Sequence, residues 1–134
     1  MSDDPMGLII AELRDANIAG GRVRGYEPAN GDARPAGSFQ RFVVIVDLGG
    51  PPVREVIQRL RYVLRCYGAT PQDARALWGD VRAVLHLAGV RSSGDVRVYQ
   101  TRDDTGGSAH HDPETKQPYY DGVYDVTAGF NPAV

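Results

Sequence analysis

Cys66 is the only cysteine among 134 residues. No intrachain disulfide can form, and a cysteine-rich metal site is excluded. The chain also lacks an excess of basic charge. Fifteen Lys and Arg stand against seventeen Asp and Glu, for a formal net charge of −2. Bulk attraction to nucleic acid is therefore absent, and only a local pattern could supply a basic face. Long apolar runs are missing as well. Met1–Asp4 is acidic, and Gly7–Leu13 is too short and too mixed for a signal or membrane segment. The expected setting is the cytoplasm, or an assembly made there, with no membrane partner. Turn formers, by contrast, are plentiful. Sixteen glycines and nine prolines imply many turns or long loops. Hydrophobic residues make up 42%, enough for an ordered core in one domain spanning residues 1–134.

Leu8, Ile9, Leu13 and Ala16 form the apolar stripe of a short helix that ends near Asn17–Gly21. Val23–Tyr26 suits a brief strand. Glu27–Gly37 is rich in Pro, Gly, Asn and Asp and reads as a flexible loop. Phe39–Leu48 carries the β-branched run Val43–Val46 and is stopped by Gly49–Gly50–Pro51–Pro52. The stretch from Val53 satisfies a helical period. Leu60, Tyr62, Leu64 and Cys66, however, alternate with Arg59, Arg61, Val63 and Arg65, which predicts a strand from Ile57 or Gln58 to Tyr67.

Thr70, Pro71 and Asp73 then have the chemistry of N-cap, N1 and N3. Leu77, Trp78, Val81 and Leu85 anchor the apolar face of the long helix that follows, with Gly89 beyond its end. Val96–Arg102 and Tyr119 or Tyr120 through Ala128 alternate as closing strands. Asp103–Pro118 between them reads as a long polar loop. The fold class is α+β: a mixed, mainly antiparallel sheet packed on a long central helix, with a short N-terminal helix.

No chemical motif stands out. His110, His111, Asp112 and Glu114 cluster without any recognised zinc spacing, and two adjacent histidines seldom reach one ion. They could also serve as acid and base in a small enzyme, but no partnered nucleophile accompanies them. Cys66 falls on the inward side of its strand, where a thiol is inert. Asp121 and Asp125 read as solvated strand-end carboxylates. Gly49–Gly50 and Gly106–Gly107 lack the spacing and lysine of a phosphate loop. Arg59, Arg61 and Arg65 share one strand face, which the apolar helix cannot cover unless they are paired. A neighbouring subunit could supply the carboxylates; a solvated face is the alternative. Nucleic-acid binding is the weaker third reading, because no basic stretch or RNA-binding aromatic motif accompanies the arginines. Tyr119, Tyr120 and Tyr124 add side chains of the kind that anchor interfaces, the alternative being that one tyrosine face completes the sheet core. The candidate subunit-interface residues are Arg59, Arg61, Arg65, His110, His111, Asp112, Glu114, Lys116 and Tyr119.

The runs RLRYVLRCYG at Arg59–Gly68 and ATPQDARALWGDVRAVLHLAG at Ala69–Gly89 bear a family resemblance. So do DVRVYQTRDDTG at Asp95–Gly106 and DPETKQPYYDGVYDVTA at Asp112–Ala128. Together they resemble the tail terminator proteins of long-tailed bacteriophages over Phe39–Ala128, in the order and texture of elements rather than in a catalytic motif. The resemblance implies a structural virion protein, not an enzyme, that forms a ring, usually hexameric. The ring would cap the head-proximal end of the tail tube, stop its polymerisation and dock to the head connector. It implies no cofactor. The partners would be other copies of the chain, the tail tube protein and a connector or stopper protein, with DNA only as cargo through the channel. The place would be the neck of the virion, after assembly in the host cytoplasm. The alternatives are a head-side stopper or other neck component, and the small enzyme built on His110–Glu114.

Overall fold

A computed structural model describes residues 5–25, 40–48, 57–87, 91–93, 96–103 and 107–130. The loop expected over Glu27–Gly37 and the C′ glycine Gly89 lie outside the described residues. Helix α1 (Pro5–Asp15) is followed by a 3-10 turn at Ile18–Gly21 and strand β1 (Val23–Gly25). Strands β2 (Phe42–Asp47) and β3 (Ile57–Tyr67) precede helix α2 (Pro71–Leu87). Strands β4 (Arg91–Ser93), β5 (Val96–Asp103), β6 (Ser108–His111) and β7 (Pro118–Phe130) complete the described elements. All seven strands join one sheet of order β1-β2-β3-β7-β5-β4, with β6 pairing β7. Among the described strand pairs only β1 with β2 is parallel. The α+β class is observed as the pattern predicts.

The alternation in β3 decides its structure. Tyr62, Leu64 and Cys66 are buried in the main core, whereas Arg59 and Arg61 are exposed on the opposite face. A helix would have spread the arginines around its circumference and sent one toward the core. Strand β2 reads as a continuous apolar run because Phe42, Val43, Val44 and Ile45 are all buried, on both faces. Val43 and Ile45 join the main core, and Phe42 and Val44 form a second cluster with Tyr67.

Helix α2 begins where Thr70 Oγ1 accepts the Asp73 amide at 3.0 Å and Asp73 Oδ2 accepts the Ala69 amide at 3.0 Å. Two of the donors around the helix start that would otherwise be orphaned are thereby satisfied. Arg41 meets the same Asp73 at 3.2 Å. Thr70→Ala should cost about 1 kcal/mol, read as a lower denaturant midpoint at constant m-value. Leu77, Trp78, Val81 and Leu85 are all buried in the core that α2 forms with β3 and β7, each contributing roughly 1.5–3 kcal/mol of apolar burial. At the far end of α2, the buried Thr101 hydroxyl donates to the Leu85 carbonyl at 3.0 Å. It occupies a last-turn acceptor that has no intrahelical partner. No helix among the described residues is long and apolar enough to cross a membrane.

The stretch Asp103–Pro118 departs from the expected loop. Asp103 closes β5, and Ser108–His111 forms β6, which pairs with residues 118–121 of β7. A short turn joins β6 to β7. Asp112 accepts the amides of Glu114 and Thr115 at 2.9 and 3.0 Å, and Lys116 adopts φ 66°. Gln117, expected as a polar loop residue, is fully buried. Its side-chain amide donates to the carbonyls of Gln40 at 2.7 Å and Gly68 at 3.2 Å, tying the turn to the ends of β2 and β3. Every residue of β6 is exposed, so no apolar alternation marks it in the sequence. Gly107, just before it, lets the Tyr120 ring lie where a Cβ would sit.

Candidate functional site

Helices α1 and α2 lie on one side of the sheet, and the charged residues gather on the other. On β3 that face carries Arg59, Arg61, Val63, Arg65 and Tyr67, and on β7 it carries Tyr119, Asp121, Val123, Asp125 and Thr127. The antiparallel register sets Arg61 directly across from Asp125 and Arg65 across from Asp121. Arg61 Nε lies 3.5 Å from Asp125 Oδ1, Arg59 Nη2 lies 3.9 Å from Asp125 Oδ2, and Arg65 Nε lies 3.8 Å from Asp121 Oδ2. These separations exceed those of charge-assisted hydrogen bonds. Arg65 Nε is buried and makes no hydrogen bond. Each pair is therefore a loose surface contact, contributing about 0–1 kcal/mol. The arginine side chains are 72, 52 and 41% exposed at positions 59, 61 and 65, against 19% for both aspartates. What the face presents outward is guanidinium.

The carboxylates needed by Arg59, Arg61 and Arg65 thus come from within the chain, from the middle of β7. Asp121 and Asp125 are not strand-end residues. The sequence did carry the signal: Arg61 and Arg65 are four apart, and so are Asp121 and Asp125, so one antiparallel register sets both pairs opposite at once. Arg97 and Arg102 of β5 extend the row, since they sit opposite Gly129 and Asp125 on the same face and are exposed. A bulge between Val98 and Gln100 shifts their parity and hides it from a period-two reading. The bulge also lays the half-exposed Tyr99 ring over Gly129.

At the β6 end of the face four rings form a row across four strands. Phe42 stacks on Tyr67 at 4.2 Å, Tyr67 meets Tyr119 at 4.9 Å, and Tyr119 stacks on His110 at 5.2 Å. The Arg65 guanidinium sits 5.7 Å above the Tyr119 ring. Burial pushes the Tyr67 phenol above its ordinary pKa, with the Arg65 charge opposing.

His110 and His111 do not converge. Adjacent strand residues project to opposite faces, and His110 Nε2 meets Asp121 Oδ1 at 3.2 Å. Ser108 Oγ lies 2.9 Å from the same Nε2 and 3.3 Å from Asp121 Oδ1. A serine, a histidine and an aspartate are therefore in mutual contact. A nucleophile–base–orienter relay needs the serine and the carboxylate on different ring nitrogens, and here both address one. Asp112 spends Oδ1 on the turn. Burial alone would raise its pKa, but the bonds from the Thr115 and Glu114 amides, the Thr115 hydroxyl and the Arg65 charge hold it below the usual value. Glu114 and Lys116 are exposed, with Lys116 Nζ donating to the Pro113 carbonyl at 3.2 Å. Among the described residues no three of His, Cys, Asp and Glu are placed to hold a metal ion. Burial raises the Cys66 thiol far above its ordinary pKa, leaving it protonated and unreactive.

No protein-family model matches the chain, and a search of curated proteins finds no match.

Proposed function

We propose that the chain is a structural assembly subunit of the tail-terminator kind. Copies close into a ring at the head-proximal end of a phage tail tube, end its growth and offer the surface that joins it to the head connector. The observation that carries this reading is the two-sidedness of the subunit: helices cover one face of the sheet, and the other bears an exposed arginine-aspartate ladder. Two such charged faces repel each other. The subunit therefore disfavours face-to-face pairing and suits contacts between unlike surfaces, which form a ring where the rotation between copies closes. The order of elements, with a capped long helix between an arginine-bearing strand and the closing strands, agrees with the resemblance to that family.

Neighbour contacts are assigned to the β6–β7 hairpin, where His111, Asp112, Glu114 and Lys116 stand around the turn. Arg59, Arg61 and Arg65 have carboxylates of their own and do not require a neighbour's. No bond-making chemistry belongs to this reading. Adding purified tail tubes tests it. The protein should decorate one tube end and halt elongation there. A preference for the portal complex over tube ends would instead make it a head-side stopper.

A further inference from the structure

The arginine-bearing face carries charge of one sign on a chain of the other. On the strands β3, β7 and β5 it bears Arg59, Arg61, Arg65, Arg97 and Arg102 against Asp121 and Asp125. Five positive and two negative charges leave a formal +3 on this face. The rest of a chain whose net charge is −2 therefore carries −5. The two aspartates are mostly covered, while Arg59 and Arg61 are more than half exposed. The stretch from Arg59 to Arg65 is six residues of strand, roughly 20 Å. Each strand of a duplex advances one phosphate per about 3.4 Å of its axis, and a single strand spaces them more widely, so such a span meets several phosphates in either case. Tyr99 stands at the Arg97 end, 40% exposed and seated on Gly129 with its ring on this face. An accessible aromatic beside guanidinium groups is a stacking platform for an unpaired base.

We infer that this sheet face binds the phosphodiester backbone of nucleic acid without sequence preference, with Tyr99 stacking on a base where the strand is single. Arg59, Arg61, Arg65, Arg97 and Arg102 contact phosphates, and Asp121 and Asp125 hold the β3 guanidinium groups in place while leaving donors outward. The other occupant that the charge would suit is an acidic surface of a second copy. The spacing of the arginines along the strand and the exposed tyrosine favour nucleic acid. Such binding is a property of the isolated chain and does not depend on ring formation.

Fluorescence anisotropy of the full chain with a labelled single strand and a labelled duplex of mixed sequence tests it. Both should bind at low salt. For five phosphates on a single strand, log K should fall against log salt with a slope of about −3.5, a loss of roughly a hundredfold between about 50 and 200 mM. Arg59→Ala and Arg97→Ala should each reduce the steepness of that slope by about 0.7. Tyr99→Ala should weaken the single strand about tenfold and leave the duplex unchanged. Asp125→Asn adds one net positive charge and should tighten binding severalfold, a change that loss of fold cannot imitate. Arg75→Ala, an exposed position on α2, should change nothing. Failure of both probes to bind at low salt overturns the inference, as does binding that Arg75→Ala weakens as much as Arg59→Ala. If Arg59→Ala and Arg97→Ala abolish self-association while oligonucleotide binding stays unchanged, the face belongs to a second copy and the inference is wrong.

Discussion

Trp78→Ala is expected to cost about 3–5 kcal/mol, the range for removing a large buried aromatic side chain and leaving a cavity. Trp78 is 5% exposed and sits where α2 crosses β7, with its ring 5.7 Å from Tyr120 and 5.5 Å from Tyr124, both tilted. Tilted aromatic pairs contribute about 0.5–1.5 kcal/mol beyond their buried area, so the substitution removes contacts to two strand residues as well as its own burial. The cavity cannot close easily. Leu77, Val81 and Leu85 already hold the helix against the sheet, and Tyr120 is pinned by its approach to Gly107. A domain of this size is stable by only about 5–15 kcal/mol, so the variant should melt roughly 10–20 °C lower. Differential scanning calorimetry reads this directly. A shift of a degree or two would mean that the helix does not dock through Trp78.

Gly68→Ala is expected to be nearly as damaging, although it adds one methyl group. A Cβ at position 68 would lie 2.3 Å from the Ala74 amide nitrogen, 2.7 Å from Ala74 Cα and 2.8 Å from the Asp73 carbonyl carbon. Optimal carbon contacts lie near 3.5–4.0 Å, roughly an ångström further out, and these neighbours are helix backbone rather than the tip of a side chain. Relief requires moving the start of α2 away from the end of β3, which strains the bond from the Ala69 amide to Asp73 that ties the two together. The cost should be about 3 kcal/mol or more, at the upper end for overpacked sites. Gly79 is the internal contrast. It lies within α2, and a Cβ added there would meet nothing within 4 Å, so Gly79→Ala should stabilise by about 1 kcal/mol. Urea titrations of both variants check the pair. Equal effects of the same sign would contradict the packing described.

The sequence made legible those elements whose two sides meet different surroundings. Strand β3 could be told from a helix because Tyr62, Leu64 and Cys66 face the core while the arginines face away. Helix α2 announced itself through its cap and its apolar face. Strand β6 could not be read because Ser108, Ala109, His110 and His111 are all exposed. An edge strand with two wet faces has the composition of a loop, and only its pairing with β7 makes it a strand. The charged face was half legible. Arg59, Arg61 and Arg65 were visible as a row, but their partners Asp121 and Asp125 lie about sixty residues on. The bulge at Tyr99 broke the parity that would have placed Arg97 and Arg102 beside them. Ser108, His110 and Asp121 came together only through the β6–β7 register.

The most direct test of the assembly reading is the native mass of the full chain, measured at high concentration with and without tail tubes and accompanied by imaging. A closed ring of copies is the expected result, present on its own or formed once tubes are added. It should disappear when His111, Asp112, Glu114 and Lys116 at the β6–β7 turn are replaced together by alanine. A chain that stays strictly monomeric at high concentration and forms no ring in the presence of tubes would contradict it.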